Sequence, residues 1–491
     1  MGEHQVDRLP MSRRALLGLG VATAATWLLT DPFAADVEAA VSNPLTQPEV
    51  LRSSNGLLEV TLVCEKKQTI VAGKPVTTYT YNGRVPGPTL VVYPGDTLRI
   101  KLVNNLDEST NLHTHGLHIS PQGRADNVLL HIAPGETFDF EFEIPHDHFC
   151  GVNWYHPHPH GNGVLQLFGG MAGALIVRDP AEDNVLTKRI PERVLVLQSP
   201  EFDAAGSLVP FTATLVRKTV AHINGQRVPA LEMSTGQTER WRIVNASPDP
   251  AFHLQLEGHS MVQVGADGHP FAKPVPIDTL SLTPGQRADV LVKAAAPGTY
   301  RLRALPYNMG AGFFTPDHDV ATIVTRRDKV VLPGSTTPFF RPFEDLRQAK
   351  VDTKREVVFS MTGGFTINGK VFDPDRCDIT MELDTIEEWT IVNNSVLLHP
   401  FHIHVNPFQL THVNGQPVER QSYEDTYPVT PNGGSITFRM PIRDFIGRSV
   451  FHCHIVLHSD LGMMATFDIV PKGGRPGDIA PPPVDHVGHE G

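Results

Sequence analysis

Three stretches of the chain share one alternation of apolar and polar residues. They are "PGDTLRIKLVNN", ending at Asn105, "TGQTERWRIVNAS", Thr235 to Ser247, and "LDTIEEWTIVNNS", Leu383 to Ser395. Side chains on a strand point to opposite faces in turn, so a period of two reads as a half-buried β-strand. Each stretch carries Val-Asn at its end. About two dozen residues earlier stands an Asn-Gly pair: Asn82-Gly83, Asn224-Gly225 and Asn368-Gly369. Such a pair marks a tight turn, because glycine tolerates positive φ without steric cost. Two markers recur in the same order at a spacing of about 140 to 150 residues, which predicts three copies of one domain.

Composition agrees with an all-β chain. The 42 prolines and 41 glycines are spread along the sequence, and the strand-like runs between them are short. A chain of 491 residues is too long for a single core. The expected domains are residues 45–180, 181–340 and 341–472. The formal net charge of −12, with no long Lys/Arg run, excludes nucleic acid as a partner, since phosphate binding needs concentrated positive charge.

Both ends read differently. "MSRRALLGLGVATAATWLL" pairs Arg13 and Arg14 with a weakly apolar stretch shorter than a membrane span, which needs about 20 apolar residues. It resembles a twin-arginine signal over residues 1–40, with cleavage near Ala39 or Ala40, and an uncleaved anchor is the alternative. The expected partner is the twin-arginine export machinery, and the expected location periplasmic, cell-surface or secreted. The tail, residues 473–491, is too rich in Pro and Gly to pack and reads as disordered, with His486 and His489 solvated.

The repeats differ in their histidines. After the Val-Asn strand come "LHTHG" (Leu112 to Gly116), "FHLQL" (Phe252 to Leu256) and "FHIHV" (Phe401 to Val405). Near the end of each copy come "WYHPH" (Trp154 to His158), "TYRLR" (Thr299 to Arg303) and "VFHCH" (Val450 to His454). The outer copies carry His-x-His twice each, eight histidines in all. The middle copy has Gln255, Arg301 and Arg303 instead, and His253 reads as a relic. If the outer copies face each other, the eight imidazoles converge and the middle copy is a spacer. Eight imidazoles with few carboxylates suit copper, zinc or iron rather than calcium or magnesium.

Cys453 stands between His452 and His454. On a strand it points away from them, so it serves a second centre within the third copy. His399, His458 and Met463 are its candidate partners, with Met463 favoured over Met464 on spacing. Zinc competes for such a site, but thiolate, imidazole and thioether together favour blue copper. His118, His146, His148 and His160 read as outer or surface groups. Cys64, Cys150 and Cys377 are odd in number, so at most one disulfide forms within the chain, and Cys64 with Cys150 is the expected pair.

Taken in order, "HTHG", "HPHPHG", "HPFHIH" and "HCHIVLHSDLGM" resemble the copper signature of the multicopper oxidases, the laccase-like family, from about Leu45 to Pro471. The resemblance implies three cupredoxin-like Greek-key β-sandwich domains and four copper ions. It implies a type 1 copper on His399, Cys453, His458 and Met463, and a type 2 copper on His113 and His402. It implies type 3 coppers on His115, His156 and His454 and on His158, His404 and His452. The implied activity couples four one-electron oxidations of a phenol, aromatic amine or similar donor to reduction of dioxygen to two waters. Electrons would enter at the His458 edge. Thr114 departs from the tryptophan usual in the first motif. Ser459 and Asp460 stand where many bacterial relatives have a glutamate after the last type 1 histidine. Asp126 and Asp460 are the candidates for proton delivery. Oxidation of cuprous, ferrous or manganous ions is the close alternative, though only 11 methionines are present and they form no methionine-rich insert. A copper nitrite reductase would lack the eight-histidine set, and a copper-free structural cupredoxin protein would have lost the ligands.

Overall fold

The computed structural model describes residues 43–183, 190–212, 218–327, 343–475 and Ile479. The twin-arginine segment and most of the 473–491 tail lie outside the described residues. Among the described residues the chain forms 34 strands and two short α-helices, Gly163–Gly169 and Val456–Asp460. None of these helices is long and apolar enough to cross a membrane.

The strands build three pairs of sheets with one repeated topology. In the first pair, Lys74–Tyr81, Leu57–Val71, Thr97–Asn104 and Thr137–Glu143 lie side by side in that order. The sheets holding Thr238–Asn245 and Thr385–Asn393 repeat this order, each with the same parallel pairing beside the central strand. The facing sheet of each pair places Thr89–Val92, Gly173–Val177, Gly151–His156 and His113–His115 in sequence, or their equivalents. This is the all-β, three-cupredoxin architecture. Strands Phe252–Leu256 and His399–Ile403 are therefore equivalent to His113–His115, and Gly298–Leu305 and Gly447–Cys453 to Gly151–His156.

The alternation sorts side chains as expected. Leu98, Ile100 and Leu102 are buried in the first core, Trp241 and Ile243 in the second, Trp389 and Ile391 in the third. Burying one such side chain contributes about 1.5–3 kcal/mol. A further cluster draws Trp154 from the first pair, Val244 from the second and Val456 from the third, so all three pairs meet.

Both repeat markers have a physical role. Asn82, Asn224 and Asn368 sit at φ of 55°, 51° and 51°, with a positive-φ glycine following each. Their side-chain carbonyls accept from the backbone N–H of Val63, Val196 and Val358 at 2.7, 2.9 and 2.8 Å, tying the turn to the neighbouring strand. The Val-Asn asparagines, Asn104, Asn245 and Asn393, are fully buried. Each donates twice from Nδ2 to backbone carbonyls, Asn393 to Leu397 (2.8 Å) and to Val429 at the end of strand Thr426–Val429 (3.0 Å).

One expectation is corrected. No disulfide joins Cys64 to Cys150, and the Cys150 thiol donates to the His148 carbonyl (3.8 Å). Cys64 lies on strand Leu57–Val71 and Cys150 directly precedes strand Gly151–His156 of the facing sheet. Packed sheets stand about 10 Å apart, whereas a disulfide needs Cα atoms within about 7 Å. Burial pushes the Cys64 thiol well up, so it stays protonated as a small apolar core residue.

Candidate metal centre

Strands His399–Ile403 and Gly447–Cys453 pair antiparallel, with Phe401 opposite Cys453 and His402 opposite His452. The alternation turns Cys453 into the third core and His452 to the other face. Around Cys453, three donor atoms gather. Sγ lies 3.3 Å from His399 Nδ1 and 3.6 Å from His458 Nδ1, and the two nitrogens are 3.1 Å apart. The His399 ring is fixed from behind. Ser395 Oγ donates to Asn393 Oδ1 (2.7 Å) and accepts from His399 Nε2–H (2.6 Å), which leaves the Nδ1 lone pair facing sulfur. The Ile455 N–H points at Sγ from 3.4 Å. Met463 is buried in the same core, and its carbonyl accepts from the Cys453 N–H. Burial pushes His399 down to about 3 and His458 well below the usual range, so both rings are neutral.

The eight outer-copy histidines converge between the first and third sheet pairs. All but His158 are fully buried. Burial, with the neighbouring rings, pushes His113, His115, His156, His404, His452 and His454 well below the ordinary range, and His158 to about 4. Neutral imidazoles are metal donors.

His113 Nδ1–H donates to Asp126 (2.9 Å) and His402 Nδ1–H to the Asp425 carbonyl (2.9 Å). Their Nε2 lone pairs then face each other at 3.4 Å, an arrangement a cation between them would relieve. His158, His404 and His452 bring their Nε2 atoms together, with 3.1 Å from His452 to each of the others.

His115, His156 and His454 are neighbours, with ring centres 5.0 to 5.8 Å apart, but do not form a mutual donor triangle. His115 and His156 group instead with His113. Yet His115 Nδ1, His156 Nε2 and both nitrogens of His454 are buried without a protein partner. An unsatisfied buried polar atom costs about 1–3 kcal/mol. Such atoms gathered in one place fit metal donors.

Sequence profiles described as multicopper oxidase match residues 63–182, 153–326 and 347–473. A solved structure from Campylobacter jejuni, described as a multicopper oxidase and a metallo-oxidase, is 30% identical. The match covers 87% of this chain and 95% of that one, with a TM-score of 0.75. The chain belongs to the multicopper oxidase family. Membership implies copper binding and the use of dioxygen with a reducing donor. A multicopper oxidase of Staphylococcus aureus is 29% identical over 449 residues, covering 87% of this chain and 92% of that protein. A laccase structure from Pediococcus acidilactici is 27% identical, covers 87% and 93% of the two chains, and has a TM-score of 0.73.

Carboxylates surround the centre of this multicopper oxidase. Asp126 is 1% exposed and also accepts from the Thr114 N–H (2.9 Å). Asp460 accepts from the N–H groups of Gly161 (3.2 Å) and Val164 (2.9 Å), and burial raises it to about 6. With His156, His158, His160, His452 and His454 it lines a cavity open to solvent. His160 is exposed, and His118 bonds away from the cluster to Val405 and Asp444.

Three residues that matter to this geometry had no place in the sequence reading. Asp425 accepts from His115 Nε2–H (3.0 Å), and Arg287 of the middle pair grips Asp425 through both terminal nitrogens (2.7 and 2.6 Å). Burial alone would raise Asp425, but Arg287 holds it well below the usual carboxylate range. The third is Ser395. Only Ser395 had a signal, the Val-Asn-x-Ser shared by the second and third copies. The middle copy's replacements face elsewhere: Gln255 lies opposite Arg303, which pairs with Asp317, while Arg301 pairs with Asp319.

Proposed function

We propose that this multicopper oxidase takes electrons one at a time from a phenol, aromatic amine or similar small donor and passes them to dioxygen, yielding water. The observation that carries the reading is Cys453. Its sulfur stands beside two imidazole Nδ1 atoms while its chain neighbours, His452 and His454, belong to the eight-histidine cluster. We assign His399, Cys453, His458 and Met463 to the type 1 copper and His113 and His402 to the type 2 copper. His115, His156 and His454 go to one type 3 copper, and His158, His404 and His452 to the other. Copper bound at these sites supplies one-electron transfer and dioxygen reduction.

The protein's own groups do the rest. His458, 6% exposed and stacked on Phe365, is the ligand edge nearest a donor in solution. The backbone through Cys453 offers a short covalent route to His452 and His454. Asp460, in the cavity beside the histidines, holds a proton below about pH 6 and can release it there. Asp126 orients the His113 ring through Nδ1 and is the second proton-delivery candidate.

Oxidation of metal ions is the second reading, favoured by the Campylobacter jejuni relative described as a metallo-oxidase. Oxygen uptake by copper-loaded protein, with a bulky phenol set against cuprous ion, separates them. Turnover of the phenol without added copper supports the first reading, and oxygen uptake with cuprous ion alone supports the second. Absence of bound copper after reconstitution would refute both. Export by the twin-arginine route belongs to the proposal on the strength of Arg13 and Arg14. Replacing both by lysine should retain the protein inside the cell.

A further inference from the structure

We infer that Arg287, from the middle sheet pair, is a positioning residue for the histidine cluster. It clamps Asp425, and Asp425 sets the ring of His115 so that Nδ1 faces a metal. The inference rests on the copper reading above and extends it to the copy that carries no copper ligand.

Arg287 is 1% exposed, and a charge so buried needs close partners. It has them in two other sheet pairs. Nη1 and Nη2 meet the two Asp425 oxygens of the third pair, and Nη2 lies 3.4 Å from Asn153 Oδ1 of the first. The planar fork matches a carboxylate in a way that a lysine ammonium does not.

So held, Asp425 acts on two rings. Oδ1 accepts from His115 Nε2–H, which forces the tautomer with a lone pair on Nδ1, the nitrogen that is buried without a partner. Its backbone carbonyl holds His402 Nδ1–H and leaves His402 Nε2 free for the type 2 position. With both carboxylate oxygens engaged by Arg287, Asp425 orients ligands rather than serving as one.

The surroundings are shaped for this arginine. A Cβ on Gly116, the residue after His115, would lie 2.2 Å from Arg287 Nη2. The glycine of "HTHG" is therefore needed to admit the guanidinium. Arg287 opens strand Arg287–Lys293 opposite Val244 of the Val-Asn strand. The equivalent positions are Thr137, opposite Val103, and Ser435, opposite Val392. Thr137 is exposed and Ser435 partly so, which leaves Arg287 as the copy-specific residue at this point of the repeat.

The test compares Arg287→Met, Arg287→Lys and the double variant Arg287→Met/Asp425→Leu with the parent. Copper per chain, the blue band of the type 1 site, the type 2 paramagnetic signal and the near-ultraviolet band of the coupled pair are read for each. Arg287→Met should keep the blue band while cluster copper affinity falls by roughly 10–100-fold, the usual effect of losing an outer partner. Arg287→Lys, with charge but no fork, should recover part of the loss. If Arg287→Met does not fold, the double variant carries the test, because it removes both members of the clamp together, while Asp267, 3.4 Å from the guanidinium in the parent, keeps the backbone N–H groups of residue 287 and Thr426. It should keep the blue band and lose the near-ultraviolet one. Parent-like cluster signals in the folded variants, or parallel loss of both bands, would overturn the inference. A parent that takes up no copper would overturn the copper reading itself.

Discussion

The Val-Asn asparagines allow one substitution to be made three times in the same chain. Asn393→Ala removes two donated bonds, to the Leu397 and Val429 carbonyls, and two accepted ones, from the Ser395 N–H and Oγ. At a net value of about 1 kcal/mol for each, the cost is about 4 kcal/mol. Asn245→Ala loses the matching four, to Pro250 and Leu282 and from Ser247 twice, and should cost about the same. Asn104→Ala loses three, to Glu108 and Ile132 and from Leu106, so about 3 kcal/mol. Only in the third copy does the network reach a ligand, because Ser395 Oγ accepts from His399 Nε2–H. Denaturant unfolding should therefore rank the variants by bonds lost. The blue absorption band and the type 1 potential should shift in Asn393→Ala alone. Ser395→Ala should reproduce that shift at about 1 kcal/mol of stability, while Ser247→Ala changes stability only. If Asn245→Ala moved the blue band as far as Asn393→Ala, the proposed hold on the His399 ring would be wrong.

Other consequences are simpler. Cys453→Ser should abolish the blue band and oxygen turnover while the cluster's near-ultraviolet band persists, as checked by absorption and oxygen uptake. Asp460→Asn should slow reoxidation by dioxygen on the order of 10²-fold, with reduction by donor unchanged, as stopped-flow would show. His222, in the middle pair, is pushed down to about 4 by burial, Arg227 and His318. Between about 4 and its ordinary value of 6.5 the unfolded chain binds the proton and the folded one does not. Its contribution is thus present above pH 6.5 and lost as pH falls through 4, about 3 kcal/mol in all. A His222→Gln variant should lack that part of the acid-side decline in denaturant midpoint.

What could be read from the chain is what a strand dictates locally. Cys453 had to face away from His452 because neighbouring side chains on a strand diverge, whatever the strand packs against. The same rule placed Trp241 and Trp389 inside. The asparagine markers were visible too, since a left-handed turn and a buried cross-link each demand one residue type. Contacts between strands distant in sequence were not visible. Asp425 reaches His115 across 310 residues and Arg287 reaches Asp425 across 138, and neither spacing repeats. The grouping of His115 and His156 with His113 follows from the pairing of strands His113–His115 and Gly151–His156, where His113 stands opposite His156, and no local period encodes that register. Cys64 and Cys150 failed as a pair for a related reason: membership of one domain does not bring facing sheets within disulfide reach. The middle copy shows the consequence for reasoning from repeats. Its missing histidines made it look like a spacer, because comparison between copies registers a lost ligand at an aligned position. A gained arginine at the start of a strand is just as informative, but only when its partner, one module away, is known.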